Sequence, residues 1–89
     1  MLQKDITIIN KLGLHARAAA KFVTLASQFE SSIEVARGAQ KVNGKSIMGV
    51  MMLAASKGTI LTISADGADE DQALAQIEAL IQDRFQEGE

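Results

Sequence analysis

Along this chain the apolar positions switch between a period of two and a helical period. Ile6, Thr7 and Ile8 alternate as a strand with one buried face does, and Ile9 and Asn10 close that strand. Lys11 to Leu14 reads as a loop. From Ala16 the period changes: Ala19, Phe22, Val23, Ala26 and Phe29 recur at helical spacing, and the small alanines let this helix sit close to a sheet. Ser31 and Ser32 break it. Ile33 and Val35 then alternate with Glu34 in a second strand, Arg37 to Ala39 reads as a hairpin turn, and Gln40 to Val42 as a short third strand. Asn43-Gly44 is a turn dipeptide. Ser46 stands at an N-cap position before an apolar run from Ile47 to Ala54, which Lys57-Gly58 ends. Ile60 to Ser64 forms a fourth alternating strand with Leu61 and Ile63 on one face, and Asp66-Gly67 turns the chain. Asp69 and Gln72 have the spacing of an acidic capping box. Leu74, Ile77 and Ile81 mark the buried stripe of the last helix, flanked by Ala73 and Leu80. Gly88 and Glu89 read as a frayed tail.

This succession, β-α-β-β-α-β-α, predicts the α+β class. Parallel neighbours need a helical crossover, whereas strands two and three are close enough for a hairpin. Helices gathered on one face of a mostly antiparallel sheet are the simplest cover for so small a core. A length of 89 residues suffices for one domain and is too short for two, so residues 1–89 are expected to form one. The content of 47% hydrophobic and 22% charged residues argues against disorder. With no cysteine there is neither a disulfide framework nor a thiolate metal site. A net charge of −2 gives no electrostatic reason to expect nucleic-acid binding. No basic segment precedes an apolar run at the N-terminus, and no stretch is long enough to span a bilayer. The expectation is a soluble cytoplasmic protein with no membrane insertion.

The candidate chemistry gathers at Gly13-Leu14-His15-Ala16-Arg17. His15 is the only histidine, placed after a glycine turn and before the first helix. Amides in a first helical turn have no intrahelical partner, and the helix dipole is positive there, so an anion is favoured. Arg17 adds a planar, permanently charged fork suited to phosphate oxygens. A histidine near neutrality is substantially unprotonated and can act as a nucleophile. The same pattern also suits a solvated surface histidine or a helix cap. No second carboxylate, metal-ligand cluster or glycine-rich nucleotide loop lies near His15 in the sequence, so neither a metal nor another cofactor is expected.

Leu12-Gly13-Leu14-His15-Ala16-Arg17, running on into Ala18-Ala19-Ala20-Lys21-Phe22, resembles the active-site signature of the HPr family. These are small histidine phosphocarriers of the bacterial phosphoenolpyruvate-dependent phosphotransferase system. Lys45-Ser46-Ile47-Met48-Gly49-Val50 resembles that family's regulatory-serine segment. The two matches lie at the family's separation and the element order agrees, so the resemblance covers nearly the whole chain. Ala18 departs from it, since many members carry proline there; alanine is an excellent helix former, and the site is little disturbed.

The resemblance implies an open-faced β-sandwich of four antiparallel strands covered by three helices. It also implies a phosphoryl-transfer intermediate rather than a stand-alone enzyme. The phosphoryl group would pass from phosphoenolpyruvate to enzyme I, then to His15 through Nδ1, then to enzyme II A components of sugar uptake. Residues alone do not choose between the ring nitrogens. Arg17 would stabilise phosphoryl charge, and the amides of Ala16 and Arg17 would cap the phosphate. Serine at an N-cap needs no further reason, but the second match implies that Ser46 is a regulatory phosphorylation site for a dedicated HPr kinase/phosphorylase. A dianion at a helix N-terminus is tolerated, so inhibition would come from charge in the partner interface. Val50 and Leu53 suit the core, while a one-sided sheet cannot easily bury the whole apolar run. The resemblance makes Ile47, Met48 and Met51 docking residues, with Lys45 and Arg17 meeting acidic partner surfaces. A monomer is expected, though the sequence itself is silent on oligomeric state. Three alternatives stay open: the nitrogen-related paralogue of the same family, a regulatory protein-binding module, and an interaction domain with an incidental histidine.

Overall fold

The apolar alternation becomes the inner face of a four-stranded sheet in the computed structural model, which describes residues 1–86. The tail expected at Gly88 and Glu89 lies outside the described residues. The strands are β1 (Leu2–Thr7), β2 (Ser32–Arg37), β3 (Gln40–Asn43) and β4 (Ile60–Asp66), all antiparallel, in the order β1-β4-β2-β3. Register sets apolar side chains in rows: Ile6 lies opposite Leu61, Ile63 opposite Val35, and Ala65 opposite Ile33. A slip of one residue would turn such a row to solvent, so burial of one face fixes the pairing. The other face is open and polar, with the Thr62 hydroxyl donating to Asp5 Oδ1 at 2.8 Å.

Three helices cover the inner face: α1 (Ala16–Ala26), α2 (Ile47–Met52) and α3 (Glu70–Gln82). Helix α1 buries Ala18, Ala19, Phe22, Val23 and Ala26, and α3 buries Ala73, Leu74, Ile77 and Ile81. Val50 from α2 and Leu53 just after it complete one continuous core with the sheet. This is the expected α+β architecture in the expected order. Among the described residues no helix is long and apolar enough to cross a membrane.

Element boundaries differ from expectation for physical reasons. Strand β1 begins at Leu2, not at Ile6, because Gln3, Lys4 and Asp5 pair with β4 although they are polar. Lys4 belongs to the inner-facing set but lies on an edge strand, where its ammonium meets Glu78 of α3 at 2.7 Å. Helix α1 stops at Ala26, and Phe29 reaches the core from the following turn. Helix α2 stops at Met52, ahead of the expected Ala54. Phe85, not anticipated in the core, is fully buried from a short turn in which Arg84, Phe85 and Gln86 have φ of +52°, +54° and +65°. Left-handed backbone costs roughly 1–2 kcal/mol per residue, which burial of a phenylalanine, about 1.5–3 kcal/mol, helps to offset.

The capping box expected at Asp69 and Gln72 does not form. Asp69 is the N-cap of α3, but its side chain makes no capping hydrogen bond. Its carboxylate instead accepts from the Ser31 hydroxyl and from the amides of Glu30 and Ser31, each amide at 2.9 Å. The nearby turn is closed by Glu70, whose Oε1 accepts from the Gly67 amide at 3.1 Å. Asp69 thus ties the start of α3 to the loop entering β2, a contact between chain segments 38 residues apart.

The Ser31 hydroxyl, and after it the Glu30 amide, hold the Asp69 carboxyl below its ordinary value of 3.8. A folded-state value below the unfolded one adds stability that is complete above the ordinary value. That stability is lost as the pH falls through the folded value. Asp69→Asn is therefore expected to lower the urea midpoint at pH 7, with a deficit that shrinks once the pH drops below 3.8. Urea titrations at the two pH values check this, and an unchanged deficit would contradict it.

Candidate functional site

The loop before α1 is held by three close contacts. Gly13 has φ +68°, and a Cβ there would lie 2.4 Å from the Ala55 carbonyl oxygen and 2.8 Å from Ser56 Cα. Only glycine meets both conditions, left-handed backbone and close approach. The Leu14 amide donates to the same Ala55 oxygen at 2.8 Å, and the Leu14 side chain is buried. Asn10, fully buried, donates from Nδ2 to the Gly13 carbonyl at 2.8 Å and accepts from the Gly13 amide at its own carbonyl, 3.2 Å away.

Ala55 is itself positioned from β2. The Arg37 guanidinium donates through Nη1 to the carbonyls of Leu53 at 2.8 Å and Ala54 at 3.0 Å. Ala54 has φ +50°. A non-glycine residue in that region persists where its surroundings over-determine it, and Arg37 Nη1, bonded to both carbonyls, supplies that constraint. The support for the loop thus runs from β2 through the end of α2 to Gly13.

His15 follows as the N-cap residue of α1, with extended backbone (φ −72°, ψ 176°). Its carbonyl accepts the first helical bond, from the Ala19 amide at 2.8 Å, while its ring does not cap the helix. The amides of Ala16, Arg17 and Ala18 therefore have no acceptor within the helix. Ala16 and Arg17 are exposed, His15 is half-buried, and Ala18 is packed into the core. Arg17 also lines a groove between α1 and α3, beside Lys21, whose ammonium donates to the Phe85 carbonyl at 2.7 Å.

Ser46 lies elsewhere. Its Oγ accepts from the Gly49 amide at 3.1 Å, the capping bond that its position suggests. Beside it Lys45 Nζ donates to the carbonyl of Phe29, just beyond the far end of α1, at 2.7 Å. Helix α2 therefore runs back along α1, with Ser46 near the end of α1 and Ala55 near its start. Six residues rise about 9 Å, so Ser46 is not in the cradle of His15. Lys45 is engaged within the chain rather than extended from it.

Ile47, Met48, Met51 and Met52 are 44%, 75%, 41% and 66% exposed and share one side of α2, while Val50 and Leu53 are buried. The division between core and surplus is the one expected. Met52 belongs to the expected surplus, and Leu12, also exposed, adds apolar surface not anticipated from the sequence. Sequence reasoning also missed Asn10, Arg37 and Ala55. The one available signal was a polar residue three positions before a glycine, the spacing of a closed turn.

The family model for the HPr phosphorylation-site component of the phosphotransferase system matches residues 2–83. The chain belongs to the HPr family. The phosphocarrier protein HPr of Cupriavidus necator is 56% identical over 89 residues, covering 100% of both chains. The solved structure of HPr-C-His from Thermoanaerobacter tengcongensis superposes with a TM-score of 0.94 at 48% identity, covering 98% of each chain. An HPr dimer from the same organism superposes with a TM-score of 0.77 at 48% identity, covering 96% of this chain and 98% of that one. Membership of this phosphocarrier family accords with a half-buried histidine at a helix start.

In this HPr-family chain, Gly13→Ala is expected to cost roughly 1–3 kcal/mol from positive φ and overlap with Ala55. It should also shift the amide resonances from Leu14 to Arg17. Urea unfolding and amide spectra check both; wild-type values would contradict the close packing described.

Proposed function

We propose that this chain accepts a phosphoryl group from phosphorylated enzyme I on His15 and passes it to enzyme II A components of the sugar phosphotransferase system. The observation that carries the reading is the placement of the only imidazole as the residue entering α1, followed by three amides with no intrahelical acceptor and by Arg17. A neutral ring nitrogen, Nδ1 by the family pattern, attacks phosphorus. The new N–P bond forms as the bond to the donor breaks, and that electron pair leaves with the donor. The amides of Ala16 and Arg17 and the Arg17 guanidinium receive the phosphoryl oxygens, so the charge developed in transfer meets donors already in place. The reverse sequence, with an enzyme II A group as the attacking nucleophile, discharges the carrier.

An open site suits this role, because a carrier must release what it accepts. The exposed side of α2 at Ile47, Met48 and Met51 is the docking surface that successive partners cover, and the carrier acts as a monomer with that side open. Phosphorylation of Ser46 by an HPr kinase/phosphorylase places negative charge at the far end of that surface, where the capping geometry tolerates it. The HPr designation of the relatives favours the sugar branch over the nitrogen-related one.

Intact mass after incubation with enzyme I and phosphoenolpyruvate is expected to show one acid-labile phosphoryl group, absent from His15→Ala. An unimpaired His15→Ala variant, or a wild-type chain that gains no mass, would overturn the assignment. Ser46→Asp is expected to slow transfer from enzyme I roughly tenfold, equivalent to about 1.4 kcal/mol of repulsion at the interface, without loss of fold. Stopped transfer assays and circular dichroism check this, and equal rates would contradict it.

A further inference from the structure

We propose that Asn10 is a positioning residue for His15, a role that rests on the phosphocarrier reading above. The peptide joining Gly13 to Leu14 is pinned at both ends: Asn10 Nδ2 donates to its carbonyl at 2.8 Å, and its N–H donates to the Ala55 carbonyl at 2.8 Å. A peptide unit is planar, so two opposed bonds fix its orientation. With Gly13 at φ +68°, that plane sets the direction in which the chain enters His15. The Gly13 carbonyl only accepts, which settles which end of the Asn10 amide faces it.

The other end of the same amide gives the argument its second support. Asn10 is fully buried, and its Oδ1 has no hydrogen-bond partner among the described residues. A buried acceptor left without a donor is costly. A residue selected for stability alone would not carry that atom, and an orphaned group of this kind in a native interior calls for a reason. The reason here is the other half of the side chain, which supplies the only side-chain hydrogen bond to the turn before His15 among the described residues. No partner can touch a residue so buried. Its influence must therefore reach the transfer step through the geometry of His15 and not through docking.

The test is steady-state transfer from phosphorylated enzyme I to Asn10→Ala and to Asn10→Asp, which keeps the side-chain shape but removes the donor. Ile81→Val, a core change on α3 away from the loop, serves as the control for loss of stability. For both Asn10 variants kcat is expected to fall roughly tenfold to a hundredfold, as misplacement of a reacting group does, with KM within about twofold of wild type. The control should keep both values. Amide exchange at Leu14 should quicken in the Asn10 variants alone. Unchanged kcat, a loss confined to KM, or failure of both Asn10 variants to fold would overturn the positioning role. A wild-type chain that accepts no phosphoryl group would instead indict the carrier reading, so the two failures are distinguishable.

Discussion

The contact on which the site depends is the approach of Gly13 to the Ala55 carbonyl, too close for any side chain at Gly13. It joins two segments far apart in sequence, the loop before α1 and the chain leaving α2. The loop could not take its present path if a Cβ intervened. The end of α2, in turn, is held by Arg37 reaching across from β2. Stability of the sheet and placement of His15 are thereby linked. The sheet fixes Arg37, Arg37 holds the carbonyls of Leu53 and Ala54 just before Ala55, and Ala55 with Asn10 fixes the peptide that leads into His15.

The same arrangement places His15 and Ser46 near opposite ends of one helix. The end of α2 supports the His15 loop, and its start carries Ser46, tied by Lys45 to the chain beyond α1. Charge added at Ser46 would lie outside the phosphate cradle but along the apolar side that a partner would cover. Under the proposed function, a phosphoryl group on Ser46 would act on docking and leave the transfer geometry intact. Lys45 illustrates how a cation in a suggestive sequence context is claimed by the fold: its ammonium satisfies a carbonyl just past a helix end, where positive charge is favoured.

Most of the fold was legible because β1, β2 and β4 each bury residues on one face. Ile6, Ile33, Val35, Leu61 and Ile63 announce themselves by period, and the register follows from their burial. The first half of β1 was not legible, since Lys4 satisfies its charge on Glu78 at a sheet edge and leaves no apolar signal. Asp69 and Gln72 looked like a capping box because spacing carries no information about a distant loop; the partners on Glu30 and Ser31 exist only once the chain is folded. Phe85 lay beyond the last periodic position in a conformation that no propensity favours. At the site, His15, Arg17 and the helix start could be read from local order. Asn10, Arg37 and Ala55 act through contacts across the fold, and only Asn10 left a trace in sequence.

Under the proposed function the start of α1 receives the phosphoryl group. Amide and imidazole resonances recorded before and after phosphorylation by enzyme I and phosphoenolpyruvate test it most directly. The largest shifts should fall on the His15 ring and on the amides of Ala16, Arg17 and Ala18, with Ser46 to Gly49 nearly unmoved. Shifts centred on Ser46 to Gly49, with the first turn of α1 unmoved, would contradict it.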